Sequence, residues 1–111
     1  MRQPHLVFND ALLEAVDETI TGLLSRGVVD ALYAHLQTFH SISRDELPYR
    51  LDTLLSALEK IFGVRGAQTI TNAIARKFYL KLGLEFTPNP NRNLLEYLDE
   101  AKMKLHNSSF K

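Results

Sequence analysis

The sequence predicts an all-α protein: a compact bundle of about five helices plus a short helical turn, with a C-terminal helix set beyond a Pro/Asn loop. Apolar residues recur at three- and four-residue steps through most of the chain, which is the helical period. Extended character is confined to Leu84-Glu85-Phe86. Gly, Pro, Ser and Asn signals fall between the periodic stretches, where helices are expected to start and stop.

The first helix is expected to open at Asn9, a residue whose side chain can cap free backbone N–H groups. Asp10, Glu14, Asp17 and Glu18 follow, placing negative charge toward the positive end of the helix dipole. Leu12, Leu13, Val16, Ile20, Leu23 and Leu24 form its stripe, and Gly27 is expected to end it in the left-handed conformation. The second helix, about Val28 to Phe39, carries Val29, Leu32, Tyr33, Leu36 and Phe39. Ser43-Arg44-Asp45-Glu46 has the form of a capping box and opens a short helical turn, which Pro48 interrupts. A third helix shows Leu51, Leu54, Leu55, Leu58, Ile61 and Phe62 on one face. Gly63 and Gly66 are expected to bracket a tight connection to a fourth, about Ala67 to Leu82, striped by Ala67, Ile70, Ile74, Phe78 and Leu82 and closed by Gly83. After Thr87-Pro88-Asn89-Pro90-Asn91, Asn93 and Glu96 repeat the capping logic. The last helix runs to about His106 with Leu94, Leu95, Leu98, Ala101 and Leu105 inward, and 107–111 is expected to fray. This helix docks either on its own bundle or, with the Pro/Asn loop as hinge, on a second copy.

A chain of 111 residues, 45% hydrophobic and 23% charged, suffices for one domain over 1–111 with a core at about 9–106. The absence of cysteine excludes disulfides, thiol nucleophiles and cysteine-ligated metals. Thirteen basic and thirteen acidic residues cancel, so the molecule as a whole has no electrostatic pull toward nucleic acid or anionic membrane. No apolar run is long enough to span a bilayer, and Met1–Phe8 lacks the apolar centre of a signal peptide. A cytoplasmic setting is expected.

Chemistry-bearing constellations are sparse. His5, His35, His40 and His106 show no metal-like helical spacing, and no metal or cofactor is expected. Asp17-Glu18 and Asp99-Glu100 are adjacent, so each pair diverges by about 100° around its helix instead of converging on a cleft. Gly63-Val64-Arg65-Gly66-Ala67 invites an anion site at a helix start, but lacks the Lys-Ser/Thr ending and the preceding strand of a P-loop. No catalytic constellation emerges, and enzymatic activity is not expected.

Arg65, Arg76, Lys77 and Lys81 meet no acidic residue between Gly63 and Leu84, and Tyr79 lies among them. This basic face reads as a solvated helix surface, a contact for the acidic first helix of another copy, or a phosphate-contacting stripe. A helix-turn-helix built from Ser43–Leu47 and Leu51–Phe62 is disfavoured, because the second helix is apolar and its remaining residues are not basic. A small-ligand pocket lined by Tyr33, Phe62 and Phe78 is a third class of function.

Ala31-Leu32-Tyr33-Ala34-His35-Leu36, Ile42 with Asp45-Glu46-Leu47-Pro48, and Ala57-Leu58-Glu59-Lys60-Ile61-Phe62-Gly63 together resemble a small archaeal family, the Nitrosopumilus output domains, fifth of that series. The similarity continues through Ala67, Ile70, Phe78-Tyr79-Leu80-Lys81-Leu82-Gly83-Leu84-Glu85-Phe86 and weakly into Tyr97-Leu98 and Lys102. It spans roughly Asp10 to Lys104. Thr38-Phe39-His40-Ser41 departs from it, since a Gly is expected to close the second helix. The resemblance implies an output module in signalling and carries no catalytic residue. The function expected is therefore a non-enzymatic helical interaction module working through a protein partner or its own dimer, with nucleic-acid binding through the basic face as the alternative.

Overall fold

Among the described residues, 4–89 and 92–108 (side chains at 4–7, 44, 48 and 106–108 excepted), the computed structural model has four α-helices, one 3-10 helix and no strand. In chain order these are α1 (Pro4–Leu23), α2 (Arg26–His40), the 3-10 helix Arg44–Tyr49, α3 (Leu51–Leu82) and α4 (Leu94–Ser108). The all-α class holds with four α-helical elements, one of which, α3, is two helices joined across the break expected at Gly63. The two helices expected on either side of Gly63 form one 32-residue element bent at that glycine, where φ is 78° and ψ is 169°. Only glycine occupies that region without strain. Gly66 is helical and not part of a connection; a Cβ there would lie 3.0 Å from Phe62 Cβ, so its missing side chain admits the Phe62 side chain from before the bend.

Three helix ends differ from expectation. α1 starts at Pro4, whose missing N–H costs no hydrogen bond in a first turn. Asn9 therefore lies inside α1, where its side-chain amide donates to the Tyr49 hydroxyl at 3.0 Å. Gly27 lies within α2, and Ser25 makes the break by accepting from the Val28 N–H. The second helix closes on Ser41 at φ 53°, with the N–H groups of Ser41 and Ile42 donating to Gln37 and Leu36 carbonyls. Ser41 thus takes the left-handed role expected of glycine.

The capping boxes form. Glu46 accepts from the Ser43 N–H and hydroxyl, both at 3.0 Å, and those bonds hold its carboxyl below the usual carboxylate range. Asn93 and Glu96 exchange backbone-to-side-chain bonds of 2.9 Å at the start of α4. α4 continues through Ser108, two residues beyond expectation, and 109–111 of the expected frayed tail lie outside the described residues.

α3 packs against every other element, most extensively α1. Leu54, Leu58, Ile74 and Phe78 are fully buried along it, facing Leu12, Val16 and Ile20 of α1 and Leu32 and Leu36 of α2 in a single core. Phe8 meets Phe78 edge-on at 4.9 Å. The Tyr33 hydroxyl donates to Asp17 at 2.7 Å and ties α2 to α1. α4 docks on α3 of its own chain through Leu94, Tyr97, Leu98 and Ala101. The Tyr79 hydroxyl lies 2.6 Å from the Tyr97 carbonyl and 3.0 Å from Glu100 Oε1, sharing one proton between two acceptors. Burial pushes the Tyr79 phenol up from its ordinary value, which keeps it a donor. Four residues assigned to inward stripes instead face solvent: Leu23, Phe39, Ile61 and Leu95.

The two unusual left-handed positions are expected to respond with opposite signs. Gly63→Ala places a Cβ in open space and so costs only its backbone strain, about 1–3 kcal/mol. Ser41→Gly relieves a non-glycine φ of 53° and stabilises by about 1 kcal/mol. Urea denaturation of both variants checks the pair, with destabilisation by Ser41→Gly counting against the assigned turn.

Candidate interaction site

The basic residues singled out in the sequence are Arg65, Arg76, Lys77 and Lys81, all on α3 beyond the bend at Gly63. The helix divides them. Lys81 Nζ lies 2.7 Å from Glu18 Oε2 and 3.3 Å from Glu14 Oε1, and Lys77 Nζ lies 3.6 Å from Glu18 Oε1. The basic stripe therefore meets the acidic first helix, but within one chain. The Lys81 hydrogen bond holds the Glu18 carboxyl below its ordinary value, and the same bond raises the Lys81 ammonium.

Arg65 and Arg76 lie eleven positions apart, which returns them to nearly the same side of α3 about 16 Å apart along its axis. Both are exposed. The Arg76 guanidinium sits 5.8 Å from the centre of the Phe86 ring, and no carboxylate pairs with it among the described residues. Phe86 is itself fixed by edge and tilted contacts with Tyr79 and Tyr97, at 5.3 and 5.1 Å between ring centres. Tyr97 holds the preceding loop by accepting from the Asn89 N–H at 2.7 Å and donating to the Asn89 carbonyl at 3.0 Å.

These anchors frame an open groove of about 700 Å³ on the outer face of α3. Ala73 and Arg76 belong to its floor, the end of α1 with Thr19 and Leu23 is one wall, and Phe86 and Pro88 form the other. Leu80 and Leu23, which both line the groove, are 76% and 54% exposed. Beneath the α1 wall the Thr19 hydroxyl is buried with no hydrogen-bond partner among the described residues. Sequence reasoning found Arg76 and Lys77 but missed the groove. Leu80 was its legible signal, since it falls off the Ile70, Ile74, Phe78 stripe and so presents a large apolar side chain to solvent.

The remaining candidates scatter. Tyr33, Phe62 and Phe78 do not line this groove, and Phe78 is core. Leu51, Leu54 and Leu58 of the disfavoured recognition helix are buried. Asp17 bonds Tyr33, whereas Glu18 engages the lysines, so that pair diverges. Glu100 pairs with Arg92 and Lys104, and Asp99 faces solvent. The His35 and His40 rings, separated in sequence by a helix end in expectation, both lie on the last turns of α2 with centres 5.7 Å apart. His35 Nε2 is buried without a hydrogen-bond partner among the described residues. The side chains of His5 and His106 lie outside those described. Among the described residues no group of three or more His, Asp or Glu is placed to hold a metal ion, and no helix is long and apolar enough to cross a membrane. Comparison with protein-family models, with curated proteins and with solved structures found no match.

The lysine clamp has a pH signature. A carboxyl held below 4.5 stabilises the fold above that value and loses its contribution as pH falls through the lowered value. An ammonium raised above 10.5 contributes below that value and loses its contribution as pH rises through the raised one. Thermal melts of the wild type and Lys81→Met are expected to differ most between these limits and to converge at the acid and alkaline ends. A difference independent of pH would remove the clamp.

Proposed function

We propose that this chain is a non-enzymatic helical interaction module, of the signalling-output or regulatory kind, that receives a protein partner in the groove on α3. The observation that carries the reading is a guanidinium 5.8 Å from the centre of the Phe86 ring, without a carboxylate partner among the described residues, in a groove that exposed Leu23 and Leu80 also line. Exposed apolar side chains gathered in one place mark interaction sites, and arginine is enriched among the residues that dominate interfaces. The resemblance to archaeal output domains agrees with such a role, and the cysteine-free composition fits a cytoplasmic setting.

Nucleic-acid binding through the basic face has less support. Lys77 and Lys81 spend their charge on Glu14 and Glu18, which leaves Arg65 and Arg76, about 16 Å apart, as the cations of the set without a carboxylate partner among the described residues. Two such contacts supply little of the counterion release that drives phosphate binding.

The test is affinity capture from the native host with the wild type and with Leu80→Glu, a change at an exposed position that leaves the core intact. A partner retained by the wild type and lost from the variant is expected. Equal capture by both would remove the groove from the function, and low-salt binding of duplex DNA abolished by Arg76→Glu would transfer the assignment to nucleic acid.

A further inference from the structure

Resting on that reading, we propose that the groove takes the outer face of α4 from a second copy of the chain, with Arg76 paired to Asp99. The argument is complementarity along two helices. On α3, Ala73, Arg76 and Leu80 follow one another at three- and four-residue steps, placing a cation between apolar neighbours over about 10 Å. On α4, Leu95, Asp99 and Met103 recur at four-residue steps, placing an anion between apolar neighbours over about 12 Å. All three face solvent, and Met103 is 66% exposed.

The charges on both faces are available. Arg76 has the Phe86 ring as its contact and no carboxylate partner among the described residues, while Lys77 beside it is paired with Glu18. The other carboxylates of α4 are engaged within the chain: Glu96 in its capping box, Glu100 with Arg92 and Lys104. Asp99 has no ion pair among the described residues. A helix laid along the groove therefore finds apolar contact at both ends and its opposite charge in the middle, the helix-in-groove mode of recognition. Ala73 keeps the floor low enough for the incoming side chains. Because α4 remains docked on its own α3 through Leu94, Tyr97, Leu98 and Ala101, the contact requires no exchange of helices.

Sedimentation equilibrium of the full chain at high micromolar concentration and low salt tests this. The wild type is expected to self-associate, and Arg76→Glu or Asp99→Lys alone to weaken association by about tenfold or more. The double exchange, Arg76→Glu with Asp99→Lys, is expected to restore it, and circular dichroism verifies that each variant keeps its helices. A strictly monomeric wild type, or association indifferent to both single changes, overturns the self-contact. So does a double exchange that stays as weak as the singles. None of these results alters whether Leu80→Glu loses a captured host protein, so the failure of this contact and the failure of the groove's role are read separately.

Discussion

The bend at Gly63 is the constraint on which the rest of the structure depends. A straight helix of 32 residues would be about 48 Å long. That exceeds the 44 Å longest dimension of the molecule, and one end would project from any shared core. The turn at φ 78° and ψ 169° lets Leu54 and Leu58 before it and Ile74 and Phe78 after it enter the same interior. Interior packing rather than helix propensity then fixes α1, α2 and α4, since each lays its apolar face on α3.

Two different kinds of bond secure the second half of α3. On the α1 side, Lys77 and Lys81 reach Glu14 and Glu18 at the surface, a contact that salt screens and that sets orientation more than stability. Toward α4, Tyr79 is wholly buried and delivers its proton to the Tyr97 carbonyl and Glu100. A buried donor left without an acceptor is costly, so this bond makes the docked position of α4 specific. Tyr97 passes the same order outward, to Asn89 through its hydroxyl and to Phe86 through its ring.

Local signals in the sequence were legible where neighbours along the chain decide the outcome. The capping boxes at Ser43 and Asn93, the left-handed close at Gly83 and the Ile70, Ile74, Phe78 stripe depend on contacts within a few residues. Elsewhere tertiary context overrode the local signal. Asn9 has the chemistry of a cap, but α1 extends back to Pro4 and the amide serves Tyr49, forty positions away. Gly27 has the freedom to end a helix, yet Ser25 caps the next helix first. Apolar period alone did not separate Leu12 and Ile20, which are buried, from Leu23, Phe39, Ile61 and Leu95, because the period identifies a face without showing where the covering element stops. The charged surfaces were legible as an acidic first helix and a basic later one. Their pairing joins residues about sixty positions apart, and no local pattern distinguishes that from a contact between copies.

The groove lies beside elements that are each packed on α3. Leu12, Val16 and Ile20 bury α1 in the shared core, and the lysine clamp ties the same helix to α3 next to the groove. On the opposite wall Phe86 rests on Tyr79 and Tyr97. Both walls are thus anchored to α3 independently, and Ala73 between them is too small to bridge the gap. The lysines that look most like a binding stripe are engaged in tying α1 to α3. The recognition charge that remains is Arg76, which Phe86 holds in place at little further entropic cost to a partner.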